Sequence, residues 1–501
     1  MKIFRAWLVP VSQRPWVRLL ALGLLLGFAF QGSRGLWSPD EGRYANGALL
    51  MIESGNYLVP AYSPDRINLS KPPVTYWAIA GAVKVFGRNT WAVRAPYALA
   101  FALTIMLLYA IGRILLPEKP WLPGLVYGCA AFPFLVTNIV STDVLLTLFE
   151  ALAALGFVRM TFGDRQLPHR RNAVLMWFGL GLAFLTKGPP GLILLLAIIP
   201  FVVVREGWRG LGRVFQPLGI AVFLVSGLIW YAIVVLSDPG ALHYFLHREI
   251  YQRLFTGAQR RHPGPFGWLV VYLPTLAIGS LPWWPALLRN WRRHGSLRIS
   301  RSWLRQHPIE SFLLLWVVIP LVVFCLAQSR LPLYVLPLFL PISLLLACRL
   351  RNRIDLGRPS QRVLIGVWIL VLLAVKGSVA YFVHPVTDNR LAAQQLTAMV
   401  RPGSYDAVVF VENTDQAYAV EERTPWGLNL YLGKPVYGVA WTAPSSTARL
   451  CHAVQDHPAN LLLLDAATAS SALQTVANHC HARSVIHLGS WRHRELALIK
   501  A

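Results

Sequence analysis

Apolar runs recur along the first 384 residues, near 17–32, 94–116, 121–139, 142–160, 173–187, 189–204, 216–236, 268–288, 311–328, 332–348 and 363–383. A helix that crosses hydrocarbon needs about 20 mostly apolar residues, so the pattern predicts a polytopic α-helical membrane protein with about eleven spans. The first run follows a basic beginning, and no small-residue cleavage site comes after it. It therefore reads as a retained span rather than a removed signal. Beyond Pro385 the pattern changes to short strand-like runs, "DAVVFVE", "LGKPVYGVA", "NLLLLDAA" and "SVIHLGS", which alternate with Ala- and Gln-rich helix-like pieces. That alternation predicts a small α/β domain over 385–501. Residues 1–384 then form the transmembrane domain, with long loops at 33–93 and 237–267.

Composition agrees with this reading, at 55% hydrophobic and 14% charged. The net charge of +25 raises the question of nucleic acid. No basic stripe with interleaved aromatics is present, so that class of partner is set aside. The arginines gather instead in alternate connections: Arg5, Arg14 and Arg18; Arg159 to Arg171; Arg205 to Arg213; Arg289 to Arg305; and Arg349 to Arg362. By the positive-inside rule these connections are cytoplasmic. The loops 33–93 and 237–267, the corners near 140, 188 and 330, and everything after 384 then lie outside. Cys129, Cys325 and Cys348 fall in apolar runs, whereas Cys451 and Cys480 can pair if the tail is extracytoplasmic.

Sidedness brings polar residues from distant parts of the chain to one face of the membrane. Asp40, Glu41, Arg43 and Tyr44 follow the first span, and Lys71 lies in "INLSKPPVTYW" of the same loop. Asp143 opens the fourth span, Lys187 closes the fifth, Glu249, Arg253 and His262 occupy the loop 237–267, and Arg330 sits in "AQSRLPLYVLP". Carboxylates among several cations suit a site that holds a phosphate and removes a proton. Lys and Arg neutralise a phosphate leaving group, and an Asp accepts the proton of an attacking hydroxyl. At a lipid boundary, such a set points to a lipid-linked phosphate. Each residue also has a structural reading. Asp40 and Glu41 can open the amphipathic helix "DEGRYANGALLMIES", Asp143 can be a first-turn helix acid after Ser141, and Lys187 and Arg330 can snorkel to the interface. Glu150 and Lys376 lie within their spans, where each must find a partner inside the bundle.

The stretches "PDEGRYA", "GNYLVPAY", "LSKPPVTYW", "GRNTWAVRAP", "STDVLL", "FLTKGPPG", "AQRRHPGPFGWLVVYLP", "LPWW" and "SRLPLYVLP", in order over about residues 15–345, resemble the GT-C membrane glycosyltransferases. More narrowly, they resemble the branch of the 4-amino-4-deoxy-L-arabinose lipid A transferases, within the protein O-mannosyltransferase superfamily. The resemblance implies an inverting transfer of a sugar from a polyprenyl-phosphate donor to a lipid A-like or other envelope acceptor. The setting implied is the cell inner membrane, with the catalytic face and the C-terminus in the periplasm. It makes Asp40 and Asp143 the catalytic acids, with Asp40 as base. Lys71, Lys187 and Arg253 contact the donor phosphate, Arg43 and Tyr44 shape the first-loop helix, and Glu41 and Arg330 are further substrate-binding candidates. The branch's metal-holding glutamate before the loop lysine is Ser70 here, and its histidine beside the Gln-Arg pair is Ile250, so no metal ligand is assigned and the cofactor stays open. The alternatives are a protein O-mannosyltransferase-like enzyme and a transporter of a lipid-linked sugar.

Overall fold

The computed structural model describes residues 14–164, 169–252, 261–285 and 301–500. The chain divides into two compact units. The first comprises Met1–Phe30, Ser70–Val74 and Pro96–Gly377; the second comprises Gln31–Leu69, Thr75–Ala95 and Ser378–Ala501.

Among the described residues, seven helices are long and apolar enough to cross a membrane: Thr90–Leu115, Thr142–Phe162, Pro189–Glu206, Pro217–Ser237, Pro308–Leu326, Pro332–Leu350 and Pro359–Phe382. Shorter apolar helices at Pro15–Phe28 and Gly267–Gly279 occupy two more of the expected runs. Helix His169–Lys187 fills another, although it begins on His169, Arg170 and Arg171 and so has a shorter apolar part. The run 121–139 is broken into helices Leu122–Gly128 and Ala131–Leu135 and a 3-10 turn at Val136–Asn138. Pro133 has no N–H to give the Cys129 carbonyl, which ends the first piece. That carbonyl accepts from the Trp368 indole at 2.8 Å instead, as apolar surroundings require.

Helices Thr142–Phe162 and His169–Lys187 form the closest pair of the membrane unit, and small residues explain why. A Cβ on Gly156 would lie 2.4 Å from the Met176 nitrogen, and one on Gly179 would lie 2.5 Å from the Ala153 nitrogen. Without side chains at these points, the two backbones pack directly against each other. The helices have 21 and 19 residues and run antiparallel, so the start of one lies beside the end of the other. Gly188, at φ +74, ends the second helix in a conformation that suits only glycine, and Pro189 and Pro190 follow.

In the second unit the first loop contains helix Asp40–Ser54, the hairpin β1 (Ala61–Ser63) and β2 (Arg66–Ile67), and helix Val74–Phe86 just beyond it. The tail builds a five-stranded sheet from β3 (Ala407–Glu412), β4 (Val436–Ala440), β5 (Ala459–Asp465), β6 (Ser484–Trp491) and β7 (Arg494–Lys500). The strand order is β4-β3-β5-β7-β6, with β3 parallel to β4 and β5, and β7 antiparallel to β5 and β6. Alternate residues of β3 and β5 enter separate cores. Val409, Val411, Leu462 and Leu464 pack under helices Ser446–Gln455 and Ala469–His479, and Val408, Phe410, Leu461 and Leu463 pack with Leu396, Trp426 and Tyr62. Burial on both faces accounts for the unbroken apolar runs of these strands. A Cys451–Cys480 disulfide joins the two helices' region on the first face.

Candidate active site

In the membrane unit, the helix hairpin sets the site. Asp143 lies in the first turn of Thr142–Phe162, where Ser141 Oγ caps its N–H at 3.3 Å. Lys187 is the last residue of His169–Lys187. Each charge suits its helix end, and the antiparallel packing joins them in an ion pair between Lys187 Nζ and Asp143 Oδ1. The Lys187 ammonium also sits 4.4 Å from the Tyr334 ring centroid. Tyr272 is buried and packs with Val335 and Leu338. Sequence reasoning named the acid, the lysine and Arg330 separately; it did not find Tyr334, which stands in an apolar run and looks like a packing residue.

Lys71 belongs to the same unit. Its Nζ donates to the Ser70 carbonyl at 2.9 Å and lies 3.8 Å from Glu249 Oε2. Arg330 is 4% exposed and engages backbone rather than side chains. Its guanidinium donates to the carbonyls of His262 at 2.7 Å, Gly264 at 2.8 Å and Cys325 at 2.9 Å. The Arg330 N–H also bonds the Arg261 carbonyl, so this residue clamps the segment after position 260. Arg253 lies outside the described residues.

The second unit holds the first-loop candidates. Helix Asp40–Ser54 has the extent expected from "DEGRYANGALLMIES". Arg43 forms ion pairs with Asp40, three residues earlier, and with Glu422 at 3.2 Å. Burial works against the Arg43 charge, but Asp40, Tyr62, Tyr44 and Glu422 outweigh it and hold its pKa well above the ordinary value. The Asp40 side chain is 44% exposed, against 13% for Arg43 and 21% for Glu422. Tyr44 is buried with its ring 5.5 Å from that of Tyr76.

Glu41 faces inward. Arg34 donates to its two oxygens at 2.6 and 3.0 Å, Arg94 at 3.2 and 2.9 Å, and the Trp37 N–H at 2.9 Å. Burial alone would raise its pKa, but the two guanidiniums prevail and hold it at about 2. A carboxylate so enclosed anchors the loop by its own structure. Arg94 is fully buried near the head of an apolar helix; its place in that run signals that it needs a partner, but not which one.

The two residues inside spans also have partners. Glu150 accepts from the Trp316 indole at 2.8 Å, and Lys376 donates to Thr137 Oγ1 at 2.6 Å and lies 4.3 Å from the Phe134 ring centroid. Positions 70 and 250 are Ser and Ile, and among the described residues no group of three or more His, Cys, Asp or Glu that could hold a metal occurs.

Residues 70–231 match the dolichyl-phosphate-mannose-protein mannosyltransferase family. The chain is 32% identical over 367 residues to undecaprenyl phosphate-alpha-4-amino-4-deoxy-L-arabinose arabinosyl transferase 2 of Pseudomonas fluorescens, covering 71% of this chain and 64% of that relative's length. Against the corresponding arabinosyl transferase of an Enterobacter species it is 30% identical over 400 residues, covering 76% of this chain and 69% of the relative. In fold it is similar to ArnT from Cupriavidus metallidurans, whose crystal structure is bound to undecaprenyl phosphate. The TM-score is 0.72 at 18% identity, over 97% of this chain and 98% of that one. With its helical membrane unit and small C-terminal sheet, the chain belongs to the 4-amino-4-deoxy-L-arabinose transferase family of GT-C membrane glycosyltransferases.

Proposed function

We propose that the protein transfers a sugar, with 4-amino-4-deoxy-L-arabinose favoured, from an undecaprenyl-phosphate donor to a lipid A-like acceptor at the outer face of the inner membrane. The carrying observation is the Asp143–Lys187 pair at the shared end of the helix hairpin, where a partly exposed ammonium is held in place by a buried carboxylate. Lys187, Lys71 and Arg253 bind the donor phosphate, and Asp143 orients Lys187 and meets the sugar. The acceptor oxygen attacks the anomeric carbon, the bond from that carbon to the phosphate oxygen breaks, and undecaprenyl phosphate leaves with the bonding electrons. Asp40 takes the acceptor's proton, and the configuration inverts. Lys and Arg at the leaving phosphate stabilise its developing charge. The outward placement is supported by the alternation of arginine-rich connections and by the Cys451–Cys480 bond, which suits an oxidising compartment.

A second reading, transfer to a protein hydroxyl, is favoured by the match of residues 70–231 to the protein mannosyltransferases. Transport is disfavoured: Glu150 and Lys376, the residues suited to a midplane site, are engaged by Trp316 and Thr137. The test is incubation of the purified protein in lipid nanodiscs with a panel of undecaprenyl-phosphate sugars and lipid A, followed by mass spectrometry. Release of undecaprenyl phosphate together with modified lipid A is expected. Release from no donor in the panel overturns the reading.

A further inference from the structure

Helix Ala417–Arg423 of the tail is held through Glu421, by its side chain and by its backbone. Glu421 accepts from Tyr62 at 3.1 Å and pairs with Arg66, while its own carbonyl accepts from the Trp426 indole at 3.0 Å. Nearby, Asn429 donates to Asn46 at 2.9 Å, and a Cβ on Gly42 would stand 2.7 Å from the Gly427 nitrogen. The tail therefore meets helix Asp40–Ser54 backbone to backbone, and Glu422 reaches Arg43 from a fixed base.

Resting on the reading above, in which Asp40 is the base, we infer that Glu422 is a positioning residue that acts through Arg43 on Asp40. The guanidinium is a rigid planar fork. One of its nitrogens goes to Asp40 Oδ1 and the other to Glu422 Oε1 at 3.2 Å. With Glu422 in place the fork cannot swing with Asp40, so one carboxylate oxygen is pinned and the other is left to receive the proton. Glu422 itself is 21% exposed against 44% for Asp40, so it does not compete for the acceptor.

The experiment compares Glu422→Gln with Glu421→Gln in the full-length protein, using undecaprenyl phosphate-4-amino-4-deoxy-L-arabinose and lipid A, with kcat, donor KM and melting temperature measured for each. Misplacement of a catalytic group is expected to lower kcat of E422Q by about 10-fold to 100-fold with donor KM within about twofold. E421Q, which weakens the anchor to Arg66 and Tyr62, should melt earlier and keep kcat within about twofold of wild type. Should E422Q not fold, Glu422→Asp replaces it, since it keeps the charge but draws it back from Arg43, and the same kcat loss at unchanged KM is expected. Any other pattern, whether both variants lose kcat alike or neither does, overturns the positioning role. Asp40→Asn run alongside separates the two ideas: wild-type kcat there removes the base assignment itself.

Discussion

At the residue scale, the two acids of the first loop differ in their surroundings: Asp40 is half-exposed beside Arg43, and Glu41 is enclosed by Arg34 and Arg94. Asp40→Asn keeps the size of a half-exposed side chain but removes a counter-charge of Arg43, so stability should fall by only about 1 kcal/mol while turnover falls by about 100-fold or more if Asp40 is the base. Thermal melting and the lipid-release assay check the two halves of that statement. Glu41→Gln has the opposite signature. It leaves Arg34 and Arg94 buried without their counter-charge, at a cost on the order of 3–5 kcal/mol. The Glu41 pKa is lowered in the fold to about 2 from 4.5, so its stabilisation is present above about pH 4.5 and is lost as pH falls towards 2. Denaturant titrations across that window should show the loss in the wild type and a flatter dependence in E41Q. Asp143 and Lys187 were legible in the sequence because they stand at the ends of apolar runs. The partners of Glu41 were not, because Arg94 lies 53 residues away. Nor does sequence position tell whether an arginine such as Arg330 will meet carbonyl oxygens or a ligand.

At the scale of elements, the hairpin of Thr142–Phe162 and His169–Lys187 controls the geometry of its terminal charges. Gly179→Leu forces a side chain where 2.5 Å is available, so the helices must part and stability should drop by about 1–3 kcal/mol or more. Turnover should fall with it, because the Asp143–Lys187 pair depends on the same approach; melting and kcat measured on one preparation check the coupling. Element types followed local pattern closely: helix Asp40–Ser54 and strands β3 to β6 all stand where their periodicity put them. The strand β7, "RELALIK", escaped notice because Glu, Leu, Ala and Lys favour helix. Its pairing with β5 and β6 overrides that preference, as tertiary context does for strands generally. The break within 121–139 was carried by Pro133, but hydropathy averages over a single proline.

At the scale of the whole molecule, the Cys451–Cys480 bond closes a loop of 29 residues. A chain-entropy estimate makes it worth about 3–4 kcal/mol. The double variant Cys451→Ala/Cys480→Ala should lower the urea midpoint of the sheet-bearing unit by a corresponding amount, followed through the fluorescence of the buried Trp426. Which segments join the tail could not be read locally, since Tyr62 enters its core from more than 300 positions upstream.

That membership of Tyr62 bears on how such chains can diverge. A fragment starting near 385 would carry the strands yet lack the ring that fills one of their cores, and a tail exchanged with a relative would arrive facing a foreign hairpin. Recombination at the apparent border would thus separate the sheet from a ring of its own core.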